Sequence, residues 1–368
     1  MSTNESLNTT ARPEQRNGAV EECFVKDSTA VKLVHVMTYC ILVIVSLCGN
    51  SAIITVVWKV RRMRKTINFF IVNMCIADLL ITLYMPRSIS VSFTGYRWLV
   101  GGILGLIFCK FSVFMHQTAI AVSIFTVIAI SCDRFFAVVF PLKTFITKKI
   151  CQIIVAFTWI LSVAIRLPML YGLEITVGKN GYLGCLLSLD DAFYKGAEKS
   201  YYQFTLIGLF AVPLSVIVIL YSGIFISLRL RKSPGEVVPR GVGREHRRDA
   251  VIKKKVLRMV FIVVVVFVLC WLLFFIQLIL FSYKIRVPCE VLFWRLFLAH
   301  LNSGINPILY LVLNENYREG VKNLIRRWRP GGFVAEKSVY PLRSVTLEAV
   351  SSRNPQMEGT QTKNNVKE

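Results

Sequence analysis

The sequence predicts an all-α membrane protein: a seven-transmembrane helix bundle with a short amphipathic helix on its cytoplasmic side. Three observations carry that expectation. Of 368 residues, 55% are hydrophobic and only 18% are charged, a balance too apolar for an ordinary soluble domain. The apolar residues come in seven blocks, roughly 33–60, 67–93, 104–138, 150–171, 202–229, 256–281 and 289–312, each near the ~20 residues that a spanning helix needs. The basic residues gather in alternate connections, the asymmetry that sets membrane orientation.

Residues 1–30 are polar and lack an apolar core, so they read as a disordered outer tail with no cleavable signal peptide. Span one then serves as its own insertion signal. Asn4-Glu5-Ser6 and Asn8-Thr9-Thr10 in that tail are glycosylation sequons. The cytoplasmic connections are marked by Arg61, Arg62, Arg64 and Lys65; by Lys143, Lys148 and Lys149; by the run from Arg229 to Arg258; and by Arg326, Arg327 and Arg329. The N-terminus is therefore expected outside, with the chain multi-pass in the plasma membrane. The net charge of +23 reports this topology and not a nucleic-acid partner.

Residues 31–313 form the membrane domain. Its longest outer loop, about 172–200, carries Cys185, and its longest inner loop, about 231–250, is a basic Pro/Gly-containing linker. Ile217–Leu220 and Val260–Leu269 make spans five and six nearly pure aliphatic. Residues 314–329 read as an amphipathic helix with Tyr317, Val321, Leu324, Ile325 and Trp328 on one face. Residues 330–368 are polar and aperiodic, a disordered cytoplasmic tail in which Ser338, Ser344, Thr346, Ser351 and Ser352 are candidate phosphorylation sites for arrestin docking.

Polar groups inside apolar spans are the candidate functional residues, because each is costly there unless it faces protein or water. Asn50 interrupts span one, Asp78 stands mid-span in span two, Ser123 in span three, and Asn302, Ser303 and Asn306 in span seven. Two readings stand for Asp78. It is a small-cation site with neighbouring hydroxyl and amide oxygens, or it is a protonated acid hydrogen-bonded to Asn50 and Asn306. At the inner end of span three, Asp133 precedes Arg134 and Phe135, which suggests a local ion pair. Span seven closes on Asn306-Pro307-Ile308-Leu309-Tyr310, a helix with a built-in deformable point. Of ten cysteines, Cys23, Cys109, Cys185 and Cys289 fall on the outer side, an even number that suggests two bridges. Cys40, Cys48, Cys75, Cys132, Cys151 and Cys270 read as reduced thiols.

Taken together, these residues resemble rhodopsin-like (class A) G-protein-coupled receptors over about residues 31–329. The resemblance runs through Gly49-Asn50, Asp78-Leu79, Cys109, Asp133-Arg134-Phe135, Trp159, Pro213 with Tyr221, Phe267 with Cys270-Trp271, and Asn306-Pro307-x-x-Tyr310. It implies a Cys109–Cys185 bridge and an allosteric sodium pocket at Asp78, Ser123, Asn302 and Asn306. It implies a connector at Ile124, Pro213 and Phe267, and a G-protein switch at Asp133, Arg134, Tyr221 and Tyr310. Binding of a heterotrimeric G protein and outward movement of span six follow from the same resemblance, and no enzyme activity is expected.

Three departures stand out. Phe135 replaces the family's Tyr. Cys270-Trp271-Leu272-Leu273 lacks the family's proline. Span six opens on Lys253, Lys254 and Lys255, with no acid to pair with Arg134, so ligand-free signalling is expected. The stretch between Trp98 and Cys109 is also longer than usual.

For the ligand, His116-Gln117-Thr118 lacks the aspartate of amine receptors, and His300 stands where opsins carry their retinal lysine. A pocket of His116, Gln117, Trp271, Gln277 and His300, with Arg87, Arg166, Asp190, Asp191, Tyr201 and Tyr202 nearer its rim, suits a peptide. His116-Gln117 resembles the polar pair of neuropeptide receptors. A Cys23–Cys289 bridge would pin the tail to the third outer loop, as in some peptide, chemokine and nucleotide receptors. A small non-amine ligand, nucleotide or lipid, is the alternative. A seven-span transporter is a further one, weakened by the absence of internal repeats. Membrane lipid is an expected partner of the basic inner loops.

Overall fold

The computed structural model describes residues 27–328 apart from Leu142, residues 179–180, residues 231–242, Lys284 and Arg286. Seven helices in it are long and apolar enough to cross a membrane. Span one is Thr29–Lys59, span two Thr66–Thr94, span three Gly102–Val139 and span four Lys148–Gly172. Span five is Ala197–Leu206, a π-helical turn at Ile207–Ala211, then Val212–Leu230. Span six is Gly243–Ser282 and span seven Cys289–Leu313.

Local chemistry sets the ends. The Ser28 hydroxyl accepts from Val31 N at 3.4 Å and caps span one, and Thr147 does the same for span four through Ile150 N at 3.3 Å. Span two ends at Gly95, whose φ of 64° suits a residue without a Cβ. Asn314 closes span seven, and its side chain accepts from Asn316 N at 3.1 Å to open the last helix, Glu315–Trp328. On that helix Tyr317 is fully buried and Val321 packs against the core, whereas Ile325 is exposed. This is the arrangement of a helix lying at a membrane surface.

The extra residues before Cys109 are accommodated in two ways. Arg97–Trp98 form a short strand, β1, and Gly102 starts span three seven positions before Cys109. The second outer loop is a hairpin of β2 (Leu173–Val177) and β3 (Leu183–Leu187). β3 lies between β1 and β2 in an antiparallel sheet, with Arg97 opposite Gly184. The Cys109–Cys185 bridge joins span three to β3, as expected. Cys289 is disulfide-bonded; Cys23 lies outside the described residues, as do Asn4, Asn8 and the tail serines and threonines. The six cysteines read as reduced are free.

Span three is the central element, packing against spans two, four, five and six, while span seven packs against spans one, two and six. Asn73 ties three spans together. Its Nδ2 donates to Thr126 Oγ1 at 2.8 Å, and its Oδ1 accepts from Trp159 Nε1 at 2.9 Å. The core is aromatic and aliphatic, with Trp271, Tyr39, Tyr310 and Phe70 nearly inaccessible. The outward faces are also apolar. Ile103, Leu83, Ile219 and Leu269 are 78%, 70%, 69% and 62% exposed, which is stable against hydrocarbon and not against water. The chain is a multi-pass membrane protein.

Spans one and seven touch at a glycine. A Cβ on Gly49 would stand 2.7 Å from Pro307 Cγ, so only glycine allows this approach.

Candidate functional site

Three layers of buried polar groups are stacked in the bundle. In the outer layer, His116 Nε2 and His300 Nε2 lie 2.9 Å apart, joining spans three and seven. Tyr39 OH is 3.3 Å from His300 Nδ1, and the Tyr84 ring stacks on His116 at 4.1 Å. The two sequence-predicted histidines are therefore each other's partners, flanked by two tyrosines that the sequence reading missed. Gln277 is 1% exposed, and both of its amide atoms lack a partner among the described residues. Gln117 is half-buried. Arg166, read as a rim residue, is in fact buried, and donates to Tyr201 OH at 3.1 Å and Thr205 Oγ1 at 3.4 Å. Arg87 lies partly buried, donating to the Tyr96 and Arg97 carbonyls at 3.2 Å each.

Asp190 and Asp191 lie on the outer loop, as the sequence reading has them, and make contacts within it. Asp190 Oδ1 accepts from Gly196 N at 3.2 Å and Glu198 N at 2.8 Å, and Asp191 accepts from the Ser188 hydroxyl. Both are exposed. Asp190 thus meets loose backbone N–H groups at the start of Ala197–Leu206, whereas Asp191 meets a hydroxyl. Arg295 was missed as well; its guanidinium lies over the rings of Phe274 and Phe281 at 5.7 and 5.8 Å. An arginine inside an apolar segment was the signal that could have found it.

Below this layer Trp271 is 1% exposed, with Phe267 at 6.1 Å, Phe274 at 5.5 Å and Phe275 at 6.1 Å between ring centroids. Phe210, in the π-turn of span five, stacks on Phe275 at 4.6 Å. Ile124, Pro213 and Phe267 are all buried. Span six runs through Trp271 without a proline break.

The middle layer centres on Asp78, which is fully buried. Asn306 Nδ2 donates to its Oδ2 at 2.9 Å. Asn50 is engaged elsewhere, contrary to one of the two sequence readings. Its Nδ2 donates to the Ser46 carbonyl one turn back on its own helix at 3.0 Å, and to the Ser303 carbonyl across the span one–span seven seam at 3.1 Å. Ser123 and Asn302 are buried too. Asp78 Oδ1, Asn50 Oδ1 and Ser123 Oγ have no hydrogen-bond partner among the described residues. Buried oxygens left unmatched, a carboxylate oxygen among them, are of the donor type that suits a small hard cation with residual water.

At the inner end, Arg134 is paired with the adjacent Asp133, its Nε donating to Asp133 Oδ2 at 3.0 Å with a second contact from Nη2. The Tyr221 hydroxyl on span five is buried without a hydrogen-bond partner among the described residues, and its ring lies 6.3 Å from that of Phe261. Tyr310 is held apart from this pair. Its hydroxyl reaches Met74 Sδ at 3.2 Å and its ring lies 5.9 Å from that of Tyr317. Tyr317 OH in turn donates to Asn68 Oδ1 at 2.9 Å. Asp133 and Arg134 thus pair with each other, whereas Tyr310 is engaged with Met74 and Tyr317 in this conformation.

Comparison with known proteins agrees with this geometry. The family profile described as 7 transmembrane receptor (rhodopsin family) matches residues 49–310. The RYamide receptor of Drosophila melanogaster is 31% identical over 310 residues, covering 82% of this chain and 65% of that receptor's own length. The Substance-P receptor of Aquarana catesbeiana is 29% identical, covering 86% of this chain and 75% of the relative. The Neuropeptide Y receptor type 2 of Sus scrofa is 29% identical, covering 90% and 87%.

Proposed function

This chain belongs to the rhodopsin-like seven-transmembrane receptor family, and from that premise we propose that it binds an extracellular peptide and activates heterotrimeric G proteins. The observation that carries the peptide reading is the outer layer. It offers neutral hydrogen-bonding groups and guanidiniums, and span three has His116 where an amine ligand would need a carboxylate. Relatives named as receptors for RYamide, Substance P and Neuropeptide Y support the same ligand class.

The outer layer and the Asp133–Arg134 pair lie near opposite ends of span three, so coupling between them is a shift between two packings of one bundle. An agonist binds one packing more tightly. The Trp271–Phe267 aromatic layer repacks, span six swings outward, and Arg134 leaves Asp133. Arg134, Tyr221 and Tyr310 then come together to hold a cytosolic helix of the G protein. A sodium ion would be held by Asp78, with Ser123, Asn302 and Asn306 around it, and would favour the closed packing. The outer tail is extracellular at the plasma membrane, and the cytoplasmic tail serves arrestin docking after phosphorylation.

Agonist titration of the His116→Ala and Gln117→Ala variants tests the pocket. Loss of potency at unchanged surface expression supports it; unchanged potency in both variants places the ligand elsewhere.

A further inference from the structure

The outer end of span three carries an uninterrupted apolar run. Leu99 to Phe108 holds no polar side chain. Within its helical part, Ile103, Leu104, Ile107, Phe108 and Phe111 are all exposed and fall on one face of the helix. The opposite face is fixed to the outer loop. A Cβ on Gly105 would run into the Val100 carbonyl and stand 3.2 Å from Ile175 Cδ1 of β2. Just before the helix, one on Gly101 would stand 3.3 Å from Leu183 Cδ1 of β3. Cys109, one turn after Gly105, is buried and bonded to Cys185. This end of span three therefore has one face covered by the hairpin and one face open.

Lys110 fixes how high the open face stands. Its Nζ donates to the Leu170 and Tyr171 carbonyls at 3.0 Å each, so it lies level with the outer end of span four. Tyr171 is exposed there, its ring 5.3 Å from that of Phe193, and tyrosine settles at the headgroup level of a bilayer. Ile103 is seven positions further out, about 10 Å along the helix axis. Span three has 38 residues, about 57 Å of helix, against about 40–45 Å for a whole bilayer. Standing upright, it would lift the apolar face out of the hydrocarbon. No charge marks such an exit. The flanking cations are turned aside, Lys110 to span four and Arg97 over the Tyr182 ring at 3.4 Å.

We propose that the face from Ile103 to Phe111 is a lipid-binding wedge held among the acyl chains of the outer leaflet, with span three tilted and the leaflet locally thickened to cover it. Lipid is the occupant because the face continues, through Phe108 and Phe111, into the apolar surface beside span four, where Leu167 and Ile160 are exposed as well. Five large apolar side chains in water are strongly disfavoured, whereas deforming a leaflet costs little per ångström. The wedge also bears on the outer hairpin. Gly105 and Cys109 tie its covered face to β2 and β3, and β3 pairs with β1, so the lipid that holds span three sets the height of the hairpin over the bundle. The inference goes beyond the peptide-receptor reading and does not depend on it.

The test uses the full chain in nanodiscs of dioleoyl phosphatidylcholine, with a nitroxide at Ile103→Cys and, in a second protein, at Ile107→Cys. Leu83→Cys, on the lipid face of span two, and Lys195→Cys, on the exposed outer loop, are the references. Cys48 is exposed and free, so each signal is read as the difference from the parent chain labelled in the same way. Relaxation by oxygen reports hydrocarbon, and relaxation by a water-soluble nickel chelate reports water. At both wedge positions the oxygen-to-nickel ratio should match Leu83→Cys and exceed Lys195→Cys several-fold. A ratio like that of Lys195→Cys puts the face in water and overturns the wedge. Low contact with both reagents means that a second copy of this chain covers the face, and overturns it equally. A second readout needs no label. The melting temperature of the parent chain should rise when the lipid is changed to the longer dierucoyl phosphatidylcholine, and the Ile103→Ser/Ile107→Ser variant should lose most of that rise. A parent chain indifferent to acyl length, or a variant that keeps the full rise, overturns the wedge. Neither readout involves ligand or G protein, so failure here leaves the receptor reading standing.

Discussion

His116 and His300 meet Nε2 to Nε2 at 2.9 Å across spans three and seven, and each is braced by a tyrosine, His116 by Tyr84 and His300 by Tyr39. Each histidine leaves the other unsatisfied if removed, and a buried polar group without a partner costs about 1–3 kcal/mol. His116→Ala and His300→Ala should each lower the melting temperature. The double variant should be less damaging than the sum of the singles, with a coupling of about 0.5–3 kcal/mol. Thermal unfolding of the four proteins of that cycle measures it; strict additivity would show that the pair carries no shared energy.

The Gly49–Pro307 approach makes a sharper packing prediction. A methyl group on Gly49 would stand 2.7 Å from Pro307 Cγ, against rigid ring atoms, whereas nothing lies within 4 Å of one on Gly208. Gly49→Ala should destabilise by about 1–3 kcal/mol, and Gly208→Ala should be nearly silent. Equal melting temperatures for the two variants would mean that the seam opens freely.

Pro307 removes a backbone donor from span seven, and span six has no proline near Trp271 to share the deformation. Pro307→Ala should therefore damage signalling more than ligand binding. Equal losses in radioligand affinity and in exchange would assign Pro307 a folding role instead.

Asp78 gives an ion-dependent prediction. In Asp78→Asn the new side-chain amide oxygen can still accept from Asn306, so the variant should fold, but it loses the charge that attracts a cation. Sodium should reduce ligand-free exchange in the parent chain, and leave Asp78→Asn unaffected. A sodium response that persists in the variant would place the ion elsewhere.

Much of the fold was legible in the sequence, because an apolar block of spanning length has few alternatives in a bilayer. All seven spans lie where hydropathy placed them. The polar residues were legible one by one for the same reason, since each stands out against an apolar background. Their pairings were not. Helical spacing places Asn302 and Asn306 on one face but says nothing of which carbonyl on another span Asn50 meets, and the answer, Ser303, depends on how spans one and seven cross. Tyr39 and Tyr84 were invisible because an aromatic in an apolar helix has no distinguishing pattern. β1 was hidden as well; two residues, Arg97 and Trp98, become a strand only because β3 lies beside them.

The central claim is that a loosely latched switch at Arg134 turns this chain into an activator of G proteins. Among the described residues, Arg134 pairs with its neighbour Asp133, a contact within one helix turn that does not itself reach span six. The most direct measurement is the rate of nucleotide exchange on a purified heterotrimeric G protein with the ligand-free chain in nanodiscs, beside its Arg134→Ala variant. The account predicts faster exchange with the parent chain than with empty nanodiscs, and loss of that increment in Arg134→Ala. Rates that match empty nanodiscs for the parent chain, or an increment untouched by the substitution, would contradict it.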